Sequence, residues 1–252
     1  MRLRFALLAA ALGFGYAPFA FAADMPVRAP VYKAPPALTY NWSGIYVGVN
    51  ASGGWGTGRF CTDAFAGAGS CGNGDIANHD LSGWLGGGQL GARWQAGNWV
   101  FGVEGMWDGA KIKGDNLSPL LAAPNRIRGT DIKSLYATTG SVGWAWDRWL
   151  VYGKGGWAGA QADLNADNLN PGGARLQAST SYNGYTLGLG LETFVWQNVS
   201  VGIEYDYYNL RRGDITNLKN SAGVAISCAF CSVSADVHTV TARANYTFNW
   251  TK

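Results

Sequence analysis

Nine charged or strongly hydrogen-bonding side chains fall at two-residue spacing among apolar and small neighbours: Gln89, Arg93, Glu104, Asp108, Lys154, Glu192, Glu204, Asp206 and Arg243. Acids and bases gathered on one side of a wall can form a charged constriction that passes small hydrophilic solutes. They can equally neutralise one another in a packed internal network. The spacing leaves both readings open. A two-residue turn would set Arg93 opposite Gly102 and diagonal to Glu104, within reach of a pair, and would set Glu204 and Asp206 on a strand beside the one carrying Arg243. Gly102, Gly188, Gly190 and Gly202 share this face, and their missing side chains leave room that favours the narrow pore.

Hydrolytic chemistry would have to be built from His79, beside Asp80, and His238, beside Asp236. Parity turns His79 inward and His238 outward, so the two rings do not converge on one reacting atom as acid–base work requires. The sequence has no Gly-x-Ser-x-Gly elbow, no phosphate-binding Gly-Lys-Ser/Thr loop and no two-histidine zinc helix. The expectation is therefore a protein that is not an enzyme and takes no cofactor. Cys61 and Cys71, and Cys228 and Cys231, form two local groups in polar segments rich in Gly or Ser. Cys228-x-x-Cys231 lacks the second pair that a zinc site needs. Disulfides are expected, with Cys61–Cys71 and Cys228–Cys231 favoured among the three connectivities that four cysteines allow.

The elements that would position these residues are strands. From Trp99 to Gly109, Trp99, Phe101, Val103 and Trp107 share one face, while Glu104, Met106 and Asp108 share the other. Trp84 to Gln95 alternates likewise, and Ala96-Gly97-Asn98 between the two runs signals a tight turn. A second hairpin pairs Tyr185, Leu187, Leu189 and Leu191 with Val201, Ile203, Tyr205 and Tyr207 across a turn near Gln197-Asn198. Its Gly202-Ile203-Glu204 repeats Gly102-Val103-Glu104 of the first. Leu135 to Trp146 and Trp149 to Ala160, joined by Asp147-Arg148, form a third hairpin; Ile45 to Trp55 and Val237 to Phe248 are the first and last strands. The predicted fold is all-β, an eight-stranded antiparallel up-and-down transmembrane β-barrel. Short turns near residues 97, 147 and 197 would face the periplasm, and four long loops, 56 to 78, 110 to 131, 163 to 181 and 210 to 235, would face outward.

Composition fits such a wall. Only 14% of residues are charged, 13% are aromatic, and there are 37 glycines and 12 tryptophans among 252 residues, with apolar and polar types interleaved and not blocked. Arg2 and Arg4, the apolar run from Phe5 to Ala17 and the small-residue site Ala20-Phe21-Ala22 read as an export signal over residues 1–22. Residues 23–41, with four prolines between Pro26 and Pro36, read as an extended lead-in that could touch the cell wall, and residues 42–252 as the barrel. No later apolar run approaches the roughly 20 residues of a membrane-spanning helix. Net charge of +3, without a basic run, gives no sign of nucleic acid. Trp42, Trp55, Trp94, Trp99, Trp107, Trp146, Trp149 and Trp250 sit near predicted strand ends, where interfacial girdles belong.

Asn41-Trp42-Ser43-Gly44-Ile45-Tyr46-Val47-Gly48, following an Ala-Asp-Met-Pro-Val lead-in, together with the short-turn hairpins and the aromatic last strand, resembles the outer-membrane immunogenic protein family of Gram-negative bacteria. The resemblance covers essentially the whole exported chain. It implies residence in the outer membrane, contact with its lipid, an eight-stranded barrel and a porin-like role. A non-conducting barrel that acts as a structural or surface-interaction protein is the alternative. Such chains commonly end on an aromatic residue, whereas here Phe248 is followed by Asn249-Trp250-Thr251-Lys252.

Overall fold

A computed structural model describes residues 40–62, 77–117, 126–168, 175–219 and 231–250. Alternating sequence becomes eight strands: β1 (Gly44–Thr62), β2 (Ala77–Ala96), β3 (Trp99–Leu117), β4 (Arg126–Trp146), β5 (Trp149–Asn168), β6 (Arg175–Phe194), β7 (Val199–Lys219) and β8 (Cys231–Phe248). Each pairs antiparallel with the next, and β1 pairs with β8 from Ile45↔Phe248 to Thr62↔Cys231, so the sheet closes into a barrel with no free edge. Closure satisfies every ladder within the protein, which is the condition for strands to cross lipid.

The tight turns fall where the sequence put them. Gly97 (φ 63°) and Asp147 (φ 53°) take the left-handed conformation of two-residue hairpins, one as glycine and the other as the short polar residue that tolerates it. The third connection spans residues 195–198 and is tied by Val195 N–H donating to the Val199 carbonyl at 2.9 Å.

Two rings of outward aromatic side chains mark the membrane. The inner ring includes Trp94, Trp99, Trp144, Trp146, Tyr246 and Phe248; the outer ring includes Trp55, Trp84, Trp107, Tyr136, Trp157, Tyr185 and Tyr207. On β3 the rings are carried by Trp99 and Trp107. At about 3.3 Å per residue and a tilt of about 40°, these lie roughly 20 Å apart along the barrel axis, close to the apolar band of about 25 Å typical of outer-membrane barrels. Between the rings, exposed Val103, Leu90, Leu187, Leu189, Ile203 and Val240 face lipid.

The strands do not stop at the outer ring, and here the expected boundaries need correction. Strand pairing runs on to Phe60↔Ala77, Leu117↔Ile127, Arg126↔Asn168 and Gln177↔Lys219. The predicted long loops therefore shorten to residues 63–76, 118–125, 169–174 and 220–230, which lie outside the described residues. Beyond the ring the apolar residues move to the opposite parity: Leu81, Ile112, Ile132, Leu164, Leu210 and Val237 face inward and are buried, while Lys111, Lys113, Lys133, Gln161 and Asn183 face outward. Bulges between Gly109 and Ile112, Ile132 and Ser134, and Leu210 and Gly213 further break the two-residue count.

The export signal and most of the lead-in, residues 1–39, lie outside the described residues. Cys61 is the penultimate residue of β1 and Cys231 the first of β8, one register position apart, while Cys71 and Cys228, and with them both expected disulfides, lie outside the described residues.

Candidate functional site

The interior is built in three layers. At the inner mouth, the residues before β1 fold across the opening. Trp42 is buried against Phe194, with ring centroids 4.2 Å apart, and Tyr40 stacks on the same Phe194 at 5.5 Å. Val100, Ala145 and Leu150 complete this floor. Polar contacts pin it: Trp42 N–H donates to Gln95 Oε1 at 2.9 Å, Gln95 N–H donates to Ser43 Oγ at 3.0 Å, and Asn249 Nδ2 donates to the Asn41 carbonyl at 2.8 Å. The segment before β1 and the residue after β8 are thereby fastened to one another below the β1–β8 seam.

At mid-membrane lies the charged layer. The structure places all nine sequence-predicted residues here, buried and facing inward. Arg93 on β2 makes a two-pronged ion pair with Glu192 on β6, at 3.1 and 2.8 Å. Glu192 also accepts from Ser200 Oγ and from Asn245 Nδ2. Arg243 bridges Glu104 and Glu204, the latter at 2.7 Å, and Lys154 lies 2.5 Å from Glu204, 3.6 Å from Glu104 and 3.3 Å from Asp206, the last an ion-pair contact without hydrogen-bond alignment. Asp108 and Gln89 belong to an adjoining amide cluster. Asn50 Nδ2 donates to Asp108 at 2.9 Å and to Gln89 at 3.0 Å, and Gln89 donates to Asn245 Oδ1 at 2.8 Å.

One expected pair does not form. Arg93 is opposite Gly102 as the turn required, yet it does not meet Glu104, because the Tyr46 ring stands between them. The guanidinium lies 4.3 Å over the face of that ring, while the Tyr46 hydroxyl donates to Glu104 at 2.7 Å. Arg93 therefore reaches across the lumen to β6. The expectation of open space beside the inward glycines is also corrected. A Cβ at Gly190 would meet the Tyr152 ring at 2.3 Å, one at Gly188 the Asp206 carboxylate at 2.1 Å, and one at Gly102 the Ser141 hydroxyl at 2.7 Å, while at Gly202 it would meet the Leu191 carbonyl at 2.7 Å. At these four positions the space beside the glycine is taken by a neighbour.

Tyr46 and Tyr152, with Asn50, Ser200 and Asn245, are participants that sequence reasoning missed. Tyr152 donates to Glu204 at 2.6 Å and accepts from Arg243 at 3.2 Å. A signal was present: each tyrosine faces a glycine in register, Tyr46↔Gly91 and Tyr152↔Gly190.

Above the charged layer, Leu81, Leu85, Ile112, Ile132, Leu135 and Leu210 pack with Tyr182 and Tyr208 into an apolar interior. His79 lies in the wall here, with Nε2 2.9 Å from Thr130 Oγ1. His238 is on the outside of the barrel, stacked on Trp55 with its Nδ1 2.7 Å from the Tyr205 hydroxyl. The two histidines thus stand on opposite sides of the wall. Outside the membrane, Asp131 lies 2.6 Å from Lys133 and raises the pKa of its ammonium.

Comparison with known proteins agrees with this architecture. The model of the outer membrane protein beta-barrel domain matches residues 6–248. The chain is 28% identical over 250 residues to the 31 kDa outer-membrane immunogenic proteins of Brucella melitensis biotype 1 and Brucella suis biovar 1, covering 96% of this chain and 99% of each of those. It is 28% identical over 188 residues to the 22 kDa outer membrane protein of Rhizobium leguminosarum bv. viciae, covering 72% and 71%. The outer membrane protease OmpT of Escherichia coli aligns with a TM-score of 0.53 over 84% of this chain and 99% of that one, at 10% identity, a likeness of fold alone.

Proposed function

The chain belongs to the outer membrane protein beta-barrel domain family, and we propose that within it this protein is a closed barrel that acts through its outer surface and not through its lumen. The observation that carries this reading is occlusion at three levels: the Trp42 floor, the ion-paired middle and the apolar upper interior. An eight-stranded wall encloses little more than side chains can fill, and the three layers supply side chains at each depth. The extension beyond the outer ring then has a role of its own, carrying the strand ends past the lipid headgroups. Relatives named as outer-membrane immunogenic proteins support a surface-displayed role. Planar-bilayer recording of the refolded protein tests the reading. Insertion without discrete current steps is expected, and steps from the wild-type barrel would overturn it.

A second reading, passage of small hydrophilic solutes through a lumen that opens, is favoured by the charge of the middle layer. Five acids (Glu104, Asp108, Glu192, Glu204 and Asp206) face three cations (Arg93, Lys154 and Arg243). That reading requires cation-selective steps whose size changes with Glu104→Gln or Arg93→Gln.

A further inference from the structure

The outer faces of β2, β3 and β4 combine two features at different depths. Along β3, Lys111 and Lys113 point outward beyond the Trp107 ring; neither makes an ion pair among the described residues, and Asp131, opposite Lys113 in the ladder, is held by Lys133. At four residues past Trp107, Lys111 stands about 10 Å farther along the axis than that residue and in register with Trp84, at the depth of lipid headgroups. Its ammonium lies 5.0 Å over the Trp84 ring of the neighbouring strand, which holds it against the wall. Other outward cations are engaged differently: Arg59 on β1 lies 3.5 Å from Asp236, and Arg211 on β7 donates to Asn209.

Directly below these lysines is a trough of about 450 Å³ in the lipid-facing wall, with sides formed by Leu90, Trp107, Tyr136 and Trp157. Its floor includes Gly105, where a Cβ would meet nothing within 4 Å. Between trough and lysines the paired Gly86 and Gly109 keep the wall flat. An apolar slot continuous with a patch where Lys111, Lys113 and Lys133 outnumber the one acid set among them, Asp131, matches one kind of molecule, with a chain at acyl depth and an anion at headgroup depth. We propose that this face binds a phosphorylated, acylated lipid of the outer leaflet, its phosphate on Lys111 and Lys113 and one acyl chain in the trough.

The test is native mass spectrometry of the folded protein released from detergent micelles, titrated with diphosphorylated lipid A, the same lipid without its phosphates, its deacylated sugar phosphate, and inorganic phosphate. Lys111→Gln with Lys113→Gln should weaken binding of the diphosphorylated lipid by about thirty-fold, the effect of two lysines at an anionic lipid surface. Gly105→Leu should weaken it several-fold and leave the weak adduct with the deacylated sugar phosphate unchanged. Arg59→Gln with Arg211→Gln should change nothing. All substituted side chains are outside the packed interior, and retained heat-modifiable migration checks that each barrel is folded. Equal binding by the lysine variant, or equal binding of the dephosphorylated lipid, overturns the proposal. Inorganic phosphate binding as tightly as the lipid overturns it too, because the site would then take a free anion.

Discussion

Between its two aromatic rings the barrel is apolar outside and polar inside; beyond the outer ring the same strands are polar outside and apolar inside. β3 carries both arrangements. Val103 faces the lipid tails and Glu104 the interior, whereas a few residues later Lys111 and Lys113 face the polar medium outside and Ala110 and Ile112 the interior. The pleat is the same throughout, since alternate residues point to alternate faces in either half. What changes is the medium outside the wall. Lipid demands apolar contact and leaves the charges to find one another within, whereas water accepts the charges and the apolar residues withdraw to an ordinary core. One strand thus obeys two opposite solvent rules, and the outer ring marks where they exchange.

The largest effect that would break this comparison lies in the middle layer. Glu192 is fully buried and accepts from Arg93, Ser200 and Asn245. Glu192→Ala should destabilise the barrel by about 3–5 kcal/mol, because it leaves the Arg93 guanidinium buried without a counter-charge. Urea unfolding of the refolded protein measures it. The pair Arg93→Met with Glu192→Leu should recover most of that loss, since an apolar replacement of both partners removes the uncompensated charge. If the double substitution is as damaging as the single one, the charged layer contributes shape more than charge balance.

The upper interior should respond as a soluble core does. Ile112 is fully buried, and its Cδ1 would stand 3.1 Å from a Cβ placed at Gly54, two strands along the inner face. Ile112→Ala should cost about 2–5 kcal/mol through lost burial and an unfilled cavity. A cost near zero, by the same unfolding measurement, would mean that the strands beyond the outer ring contribute little to cooperative stability.

The two halves were also unequally legible in the sequence. Hairpins around residues 97, 147 and 197 could be read because lipid-facing apolar residues alternate cleanly up to Trp107, Trp157 and Tyr207. Beyond those residues the apolar positions change parity and bulges interrupt the count, so β2, β4 and β6 read as starting late and their partners as ending early. The inward residues were legible by parity alone, but their partners were not. Arg93 and Glu192 are on β2 and β6, and only closure of the whole sheet brings them together. The Trp42 floor was hidden for another reason: tryptophan at a strand end reads equally well as a girdle residue, and nothing local says that the chain before β1 turns under the barrel.

The comparison can be sharpened with one substitution made twice on the same face of β6. Leu189 and Asn183 share outward parity, but Leu189 lies between the aromatic rings and Asn183 beyond the outer one. Arginine at a mid-membrane lipid-facing position of a barrel costs about 2–4 kcal/mol, whereas a surface substitution in water usually changes stability by less than about 0.5 kcal/mol. Leu189→Arg should therefore lower stability by the larger figure and Asn183→Arg leave it nearly unchanged, measured by unfolding from lipid vesicles so that the apolar medium is retained. Equal costs would place both residues in the same medium and move the membrane boundary outward along β6. Moving both proteins from vesicles into small detergent micelles should shrink the Leu189→Arg cost and leave Asn183→Arg where it was, because only the first depends on a thick apolar layer against the wall.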